Sequence, residues 1–420
     1  MKEIDYRKSI SKTMKYTDNR SYAHGKTSGE SLFLLIILAT ILSGAGKHSV
    51  AGFNLCGWAW LIVLFFSVGY VFLKRKRVVP SVWLAWLPFF SYILFRSDIT
   101  YRDDIQRICI IISPVFVGMA ISSLRFKNLK KIQLLYYFML FATVANYLLA
   151  VIQNGELNGF SSWNIPQGFC MTLTLTAIVG IVDWTRGIKR GLLALCLSYA
   201  VCFLTVSRMP ILTIPFLILF GPFSISLRKR VVIVILLCLA AIYAFTMQPV
   251  RENIFRKHSG LQGTGTYEDI IELDPSVISS GGRLNAWPYY LEMIKKKPFF
   301  GYGGTETVKF GNLMFGGWSH PHNDYIRLLF DYGMAGLLLY LWPYILLLVK
   351  CYRQVGVGSA DVEWLYRVSS GGLLAGLLLM ITGNTIMYVA WFGNLLFATV
   401  GAAFSATASL SGSNESHPSL

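Results

Sequence analysis

Trp318-Ser-His-Pro-His-Asn-Asp-Tyr-Ile-Arg-Leu-Leu-Phe-Asp-Tyr-Gly-Met-Ala-Gly336 gathers histidine, asparagine, aspartate and arginine into one segment of an otherwise apolar chain. A neutral imidazole near pH 7 can take a proton from a hydroxyl. His322 is the candidate for that role, with Asn323 and Asp324 placed to orient it. His320 stands two residues earlier, across Pro321, and its own role is open. An HxH pair also suits a metal, but no third ligand stands at firm spacing, because Asp324 on a helix points elsewhere. Arg208 lies in Thr-Val-Ser-Arg-Met-Pro between two apolar runs, and Arg283 in Ser279-Ser-Gly-Gly-Arg-Leu-Asn-Ala-Trp287, just before a helix start. Backbone amides at a helix N-terminus, joined by a guanidinium, make a good phosphate site. The plainer readings are a snorkelling arginine at 208 and a capping or surface arginine at 283.

The elements that carry these residues are membrane helices. Hydrophobic residues make up 54% of the 420 and charged residues only 14%, against about 25% charge in a soluble domain; mean hydropathy is +0.53. A spanning helix takes about 20 mostly apolar residues, and about twelve segments qualify. They run roughly 31–46, 53–73, 79–95, 108–123, 132–152, 169–184, 191–207, 211–226, 231–247, 334–349, 368–387 and 390–410. The expectation is an all-α polytopic membrane protein. The seven cysteines show no CxxC spacing, so neither a disulfide framework nor a zinc site is read.

Positive charge retained on cytoplasmic loops sets the orientation. Lys2, Arg7, Lys8, Lys12, Lys15, Arg20 and Lys26 crowd the N-terminal tail, and alternate connections repeat the bias at 74–77, 125–131, 186–190, 228–230 and 350–367. The connections at 153–167 and 382–389 carry no Lys or Arg, while 96–107 mixes three arginines with three aspartates. This predicts a basic cytoplasmic tail over 1–30, a bundle of about nine spans over 31–247, a large periplasmic loop over 248–333, three last spans over 334–410 and a cytoplasmic tail over 411–420. The net charge of +17 is then mostly topology, and no nucleic-acid partner follows from it.

A loop of that length is expected to fold. Apolar residues Leu284, Trp287, Leu291 and Ile294 predict an amphipathic helix over 284–297, with Pro288 tolerable in its first turn and Pro298 at its stop. Phe299–Gly304 reads as a tight turn, and His322–Tyr332 as a helix running on toward the tenth span. Arg208, Arg283 and His322 then share one side of the membrane. Two anion-binding arginines and a base suit a reaction on a lipid diphosphate, whose leaving group departs without a general acid when cations hold its charge.

His322-Asn323, nine residues, then Gly333-Met-Ala-Gly336 resembles the His-Asn-x9-Gly-x-x-Gly signature of the O-antigen ligase-like family. The Ser-Arg turn at 207–208 and the Gly-Gly-Arg-x-x-x-Trp run at 281–287 are similar to that family's other recurring elements. The resemblance covers roughly residues 200–345. It implies a clan C-type, inverting, metal-independent glycosyltransferase of the bacterial inner membrane that needs no cofactor. Its donor would be a glycan on undecaprenyl diphosphate. Arg208 and Arg283 would hold the diphosphate and His322 would activate the acceptor, with His320, Asn323, Asp324, Gly333 and Gly336 in support. The acceptor would be lipid A-core for a ligase, or a growing lipid-linked glycan for a polymerase. A transporter fits less well: paired halves and broken helices near the midplane are its usual marks, whereas here the polar residues gather in one asymmetric loop.

Overall fold

A computed structural model describes residues 29–44, 49–50, 53–73, 79–154, 166–205, 208–246, 283–315, 320–381 and 383–414. Most of the N-terminal tail, the last six residues, the connections near 155–165 and 247–282, and Trp318 lie outside these described residues.

The regular structure of the described residues is helical apart from a two-residue antiparallel ladder, β1 (Ser49–Val50) with β2 (Phe53–Asn54). In chain order the helices are α1 (Gly29–Ser43), α2 (Leu55–Leu73), α3 (Ser81–Arg96, opening as a 3-10 turn), α4 (Arg102–Ser122), α5 (Lys130–Asn154), α6 (Pro166–Thr185) and α7 (Lys189–Leu204). They continue as α8 (Arg208–Phe220), α9 (Leu227–Thr246), α10 (Arg283–Lys296), α11 (Glu306–Phe315), α12 (Asp324–Arg353), α13 (Ala360–Leu379) and α14 (Asn394–Asn414), the last entered through a π turn at Val389–Gly393. Each apolar segment read from the sequence overlaps one of these helices. Five of the described helices are long and apolar enough to cross a membrane: Leu55–Leu73, Arg102–Ser122, Lys130–Gln153, Asp324–Arg353 and Val389–Ala408. Gly29–Ser43, Ser81–Arg96, Cys170–Thr185 and Pro210–Phe220 are apolar but shorter. The chain is an all-α membrane protein.

Burial sorts the helices into centre and rim. The Val389–Ala408 span is 94% buried inside the protein, whereas Leu55–Leu73 is 28% buried and turns Phe65, Phe66, Phe72 and Leu73 outward. Apolar side chains on an outer face suit lipid, where they lose nothing by exposure. α14 packs on α4, α13 on α12 and α14, and α6 on α7. The α6–α7 contact is close because glycines face each other. A Cβ at Gly180 would lie 2.7 Å from the Gly191 carbonyl oxygen, and one at Gly191 would lie 2.6 Å from that of Gly180. Trp86 and Phe89 of α3 clasp Tyr340 of α12 at 5.4 and 5.3 Å between ring centroids, which fixes α12 against α3 below the histidine segment.

Three local expectations are corrected. α10 buries Ala286, Tyr290 and Ile294 with Trp287 packed partly against them, so Ile294 and Trp287 of the expected face are on the buried side while Leu291, 43% exposed, is not. The wall it meets is aromatic, and Tyr290 seats between Phe310 and Phe330 at 5.0 and 5.5 Å, so ring packing outweighs the aliphatic stripe. Pro288 lies inside α10, past its first turn, and removes an interior hydrogen bond that this packing compensates. The run expected to be helical to 387 stops at Leu379, and polar Gly383 and Asn384 lead an irregular turn instead.

Candidate active site

The tenth apolar span does not begin at 334. α12 starts at Asp324, so the residues after His322 ride on the same rod as the span. That rod is broken once, at Gly333, with φ 67 and ψ −170, a region reserved for glycine. A Cβ there would lie 2.3 Å from the Phe299 oxygen. The break strips hydrogen bonds from both sides, and the Pro298–Gly303 turn replaces them. Tyr302 N–H donates to the Phe330 oxygen (2.9 Å), Gly303 N–H to Asp331 (2.7 Å), Met334 N–H to Pro298 (2.8 Å) and Ala335 N–H to Phe299 (3.1 Å). The Tyr332 oxygen accepts from the Tyr92 hydroxyl at 2.8 Å. Gly336 lets Tyr92 and Tyr332 close over the break, since a Cβ there would lie 2.2 Å from the Tyr332 Cβ and 3.2 Å from the Tyr92 ring. The Gly-x-x-Gly spacing thus docks the tight turn on the helix.

Charge is packed into this end of the bundle. Arg107 of α4 donates to Asp331 Oδ2 at 2.6 Å and to the Gly304 oxygen at 2.7 Å. Asp331 Oδ1 accepts from Thr307 through its N–H (2.8 Å) and its hydroxyl. One helical turn away, Arg327 Nη1 lies 3.3 Å from Asp324 Oδ1. The other Asp324 oxygen accepts from Ile386 N–H at 2.9 Å, and its own N–H donates to the Met380 oxygen at 2.9 Å. All four charged side chains are 4% exposed or less. Arg107, Arg327, Asp331 and Asn384 were not singled out in the sequence. Asp324, Arg327 and Asp331, at spacings of three and four on an apolar run, are the signal that could have found two of them, Arg327 and Asp331. Nothing local marks Asn384.

Both histidines sit at the mouth of this cluster. His322 takes a left-handed backbone, φ 50, rare outside glycine, and its Nδ1 lies 3.2 Å from Asn384 Nδ2. Asn323 and Asp324 direct their side chains elsewhere than expected. Asn323 Oδ1 caps α12 by accepting from Ile326 N–H at 3.0 Å, and Asp324 holds Arg327 and Ile386. His320 is half-buried, and its Nδ1 is without a hydrogen-bond partner among the described residues. Burial first, then the Arg327 and Arg107 guanidiniums and His322, pushes its pKa down to about 2, so it stays neutral at working pH. No group of three or more His, Cys, Asp or Glu able to hold a metal occurs among the described residues.

Arg208 is the first residue of α8 and Arg283 the first of α10; their side chains lie outside the described part of the structure. Trp287, one turn beyond Arg283, donates from Nε1 to the Pro321 oxygen at 2.7 Å, tying α10 to the residue between the two histidines. α8 packs on α13. Its far end is fixed beside Arg367, which donates to the Pro222 oxygen at 2.6 Å. The start of α8 therefore points toward the Leu379 end of α13, where Met380 holds Asp324.

Fold and site together define an α-helical membrane protein with a dense polar cluster at one end of its bundle. Residues 192–341 match the family model described as O-antigen ligase, which supports an O-antigen ligase-like family member and membrane glycan transfer of the ligase or polymerase type. The match runs from α7 into α12 and includes every site residue named from the sequence; Arg107 and Asn384 lie outside it. No curated protein matches the chain.

Proposed function

We propose that the protein transfers a glycan from undecaprenyl diphosphate to an acceptor hydroxyl at the periplasmic face of the bacterial inner membrane, lipid A-core being the acceptor. Arg208 and Arg283 hold the diphosphate, and His322 meets and activates the acceptor hydroxyl. The bond from the anomeric carbon to the diphosphate oxygen breaks as the acceptor oxygen attacks from the opposite face, and the configuration inverts. The observation that carries this reading is the Trp287–Pro321 hydrogen bond, because it couples the helix opened by Arg283 to the backbone that sets His322. The proposal includes about twelve spans, both termini in the cytoplasm, a clan C-type architecture and no metal.

Purified protein, an undecaprenyl-diphosphate glycan, and lipid A-core added or omitted make the test. Glycan moving onto lipid A-core only when it is present is the expected result. A ladder of longer lipid-linked chains without it would assign a polymerase using the same donor, and no transfer in either tube would sink the reading. Arg283→Lys is expected to lose most transfer, since an ammonium cannot repeat a guanidinium's bidentate hold on phosphate. His322→Ala is expected to abolish transfer while donor binding survives.

A further inference from the structure

The partner of His322 comes from a turn that the family match does not reach. Asn384 is buried at the head of the irregular 384–388 turn, its carbonyl oxygen accepting from Met387 N–H and Tyr388 N–H at 2.9 Å each. The same turn is pinned by Asp324 through Ile386 N–H. Its backbone is therefore fixed, and only the side-chain amide is left to orient. That amide bridges two groups: Oδ1 lies 3.3 Å from Arg327 Nη2, and Nδ2 lies 3.2 Å from His322 Nδ1.

A guanidinium has donors and no acceptor, so the amide must turn its oxygen to Arg327. Its N–H2 is then what faces the histidine, and Nδ1 must accept. In a neutral imidazole the single proton then belongs to Nε2. Arg327 cannot swing away to relax this, because it is enclosed and held by Asp324. The chain Asp324–Arg327–Asn384–His322 thus runs from a carboxylate to a ring tautomer, with each polarity dictated by the one before it.

We propose that Asn384 is a positioning residue that holds His322 as its Nε2–H tautomer, so that the ring meets the acceptor as a hydrogen-bond donor at Nε2. This deepens the proposed function and rests on it for its catalytic meaning. It also revises the proton-accepting role first assigned to His322: the Nε2–H orients the acceptor oxygen, and the hydroxyl proton passes to solvent water as the glycosidic bond forms and the diphosphate departs. A base at Nε2 would need a proton on Nδ1 facing an oxygen, and Arg327 keeps the amide oxygen for itself. A carboxylate at 384 would remove that constraint, since one oxygen could face Arg327 and the other accept from Nδ1–H.

The test is nitrogen NMR of the full chain, labelled with 15N-histidine and reconstituted in lipid bilayers, with the His322 signals identified by their loss in His322→Gln. In the wild type, Nδ1 is expected to be bare and Nε2 protonated. In Asn384→Asp, Nδ1 is expected to become protonated and transfer to fall about a hundredfold, the scale of a misplaced reacting group. In Asn384→Ala the ring is expected to show both tautomers. A protonated Nδ1 in the wild type would overturn the proposal without any variant having to fold. So would a His322 signature that neither substitution changes. If the tautomer is as stated but His322→Gln transfers at the wild-type rate, the assignment of His322 in the proposed function falls and the role of Asn384 in setting the ring stands.

Discussion

The two ends of the bundle each bury carboxylates, and they stabilise them by different means. At the end away from the histidines, Asp183 is enclosed by neutral donors: Gln133 Nε2 at 2.5 and 2.6 Å, the Tyr137 hydroxyl at 2.5 Å and Trp364 Nε1 at 2.8 Å. These come from α5 and α13, so one side chain of α6 knots three helices together. At the histidine end, Asp324 and Asp331 face guanidiniums instead. The satisfaction there is incomplete: Arg327 Nε, His320 Nδ1 and Thr385 Oγ1 are buried without hydrogen-bond partners among the described residues. Buried ion pairs are poor investments in stability compared with apolar packing, and unmet polar atoms add to the cost. A closed neutral knot serves the fold. An open charged cluster beside two histidines suits the charged donor of the proposed reaction.

The comparison can be broken or sharpened by substitution, with thermal unfolding in detergent as the common measurement. The largest effect is expected from Asp331→Ala, which leaves the Arg107 guanidinium buried without its counter-charge and costs about 4 kcal/mol; pairing Arg107→Met with Asp331→Leu should recover most of it. Gly333→Ala comes next, at about 3 kcal/mol, because the glycine-only backbone and the Phe299 oxygen both oppose a methyl group. Asp183→Asn is expected to cost about 2 kcal/mol, since one amide N–H would face another donor, while transfer per folded molecule stays unchanged. Were Asp183→Asn to match Asp331→Ala in cost, or to abolish transfer, the division of labour between the ends would be wrong.

The smallest effect is a matter of pH. His320 stays neutral in the folded protein down to about pH 2, whereas the unfolded chain takes up a proton near pH 6.5. Its folded pKa is the lower of the two, so stability is full above about 6.5 and declines as pH falls below it, by about 1 kcal/mol per unit. His320→Gln should flatten that decline when melting is followed between pH 7.5 and 5. An unchanged slope would mean that the ring is not enclosed as described.

The sequence made the helices legible because apolar runs of this length admit few other structures in lipid. It also made the Gly333 and Gly336 spacing legible, because each glycine answers a nearby backbone demand. Legibility failed where partners meet across the fold. Arg107 and Asp331 are 224 positions apart, and no pattern within either segment points to the other. Asn384 was hidden in a short polar connection that served only as evidence of topology. On α10 Ile294 was placed rightly and Leu291 was not, because the wall that receives the helix is aromatic and takes Tyr290 instead.

The break at Gly333 also bears on how the protein comes to be made. Five backbone groups around it, the oxygens of Phe330, Asp331 and Tyr332 and the amides of Met334 and Ala335, find partners in Tyr92 and the Pro298–Gly303 turn. With that turn undocked, those five groups would lose these partners, and an unmet buried backbone group is costly. Docking of the turn and ordering of the histidine end of α12 are thereby a single folding event, so neither forms without the other.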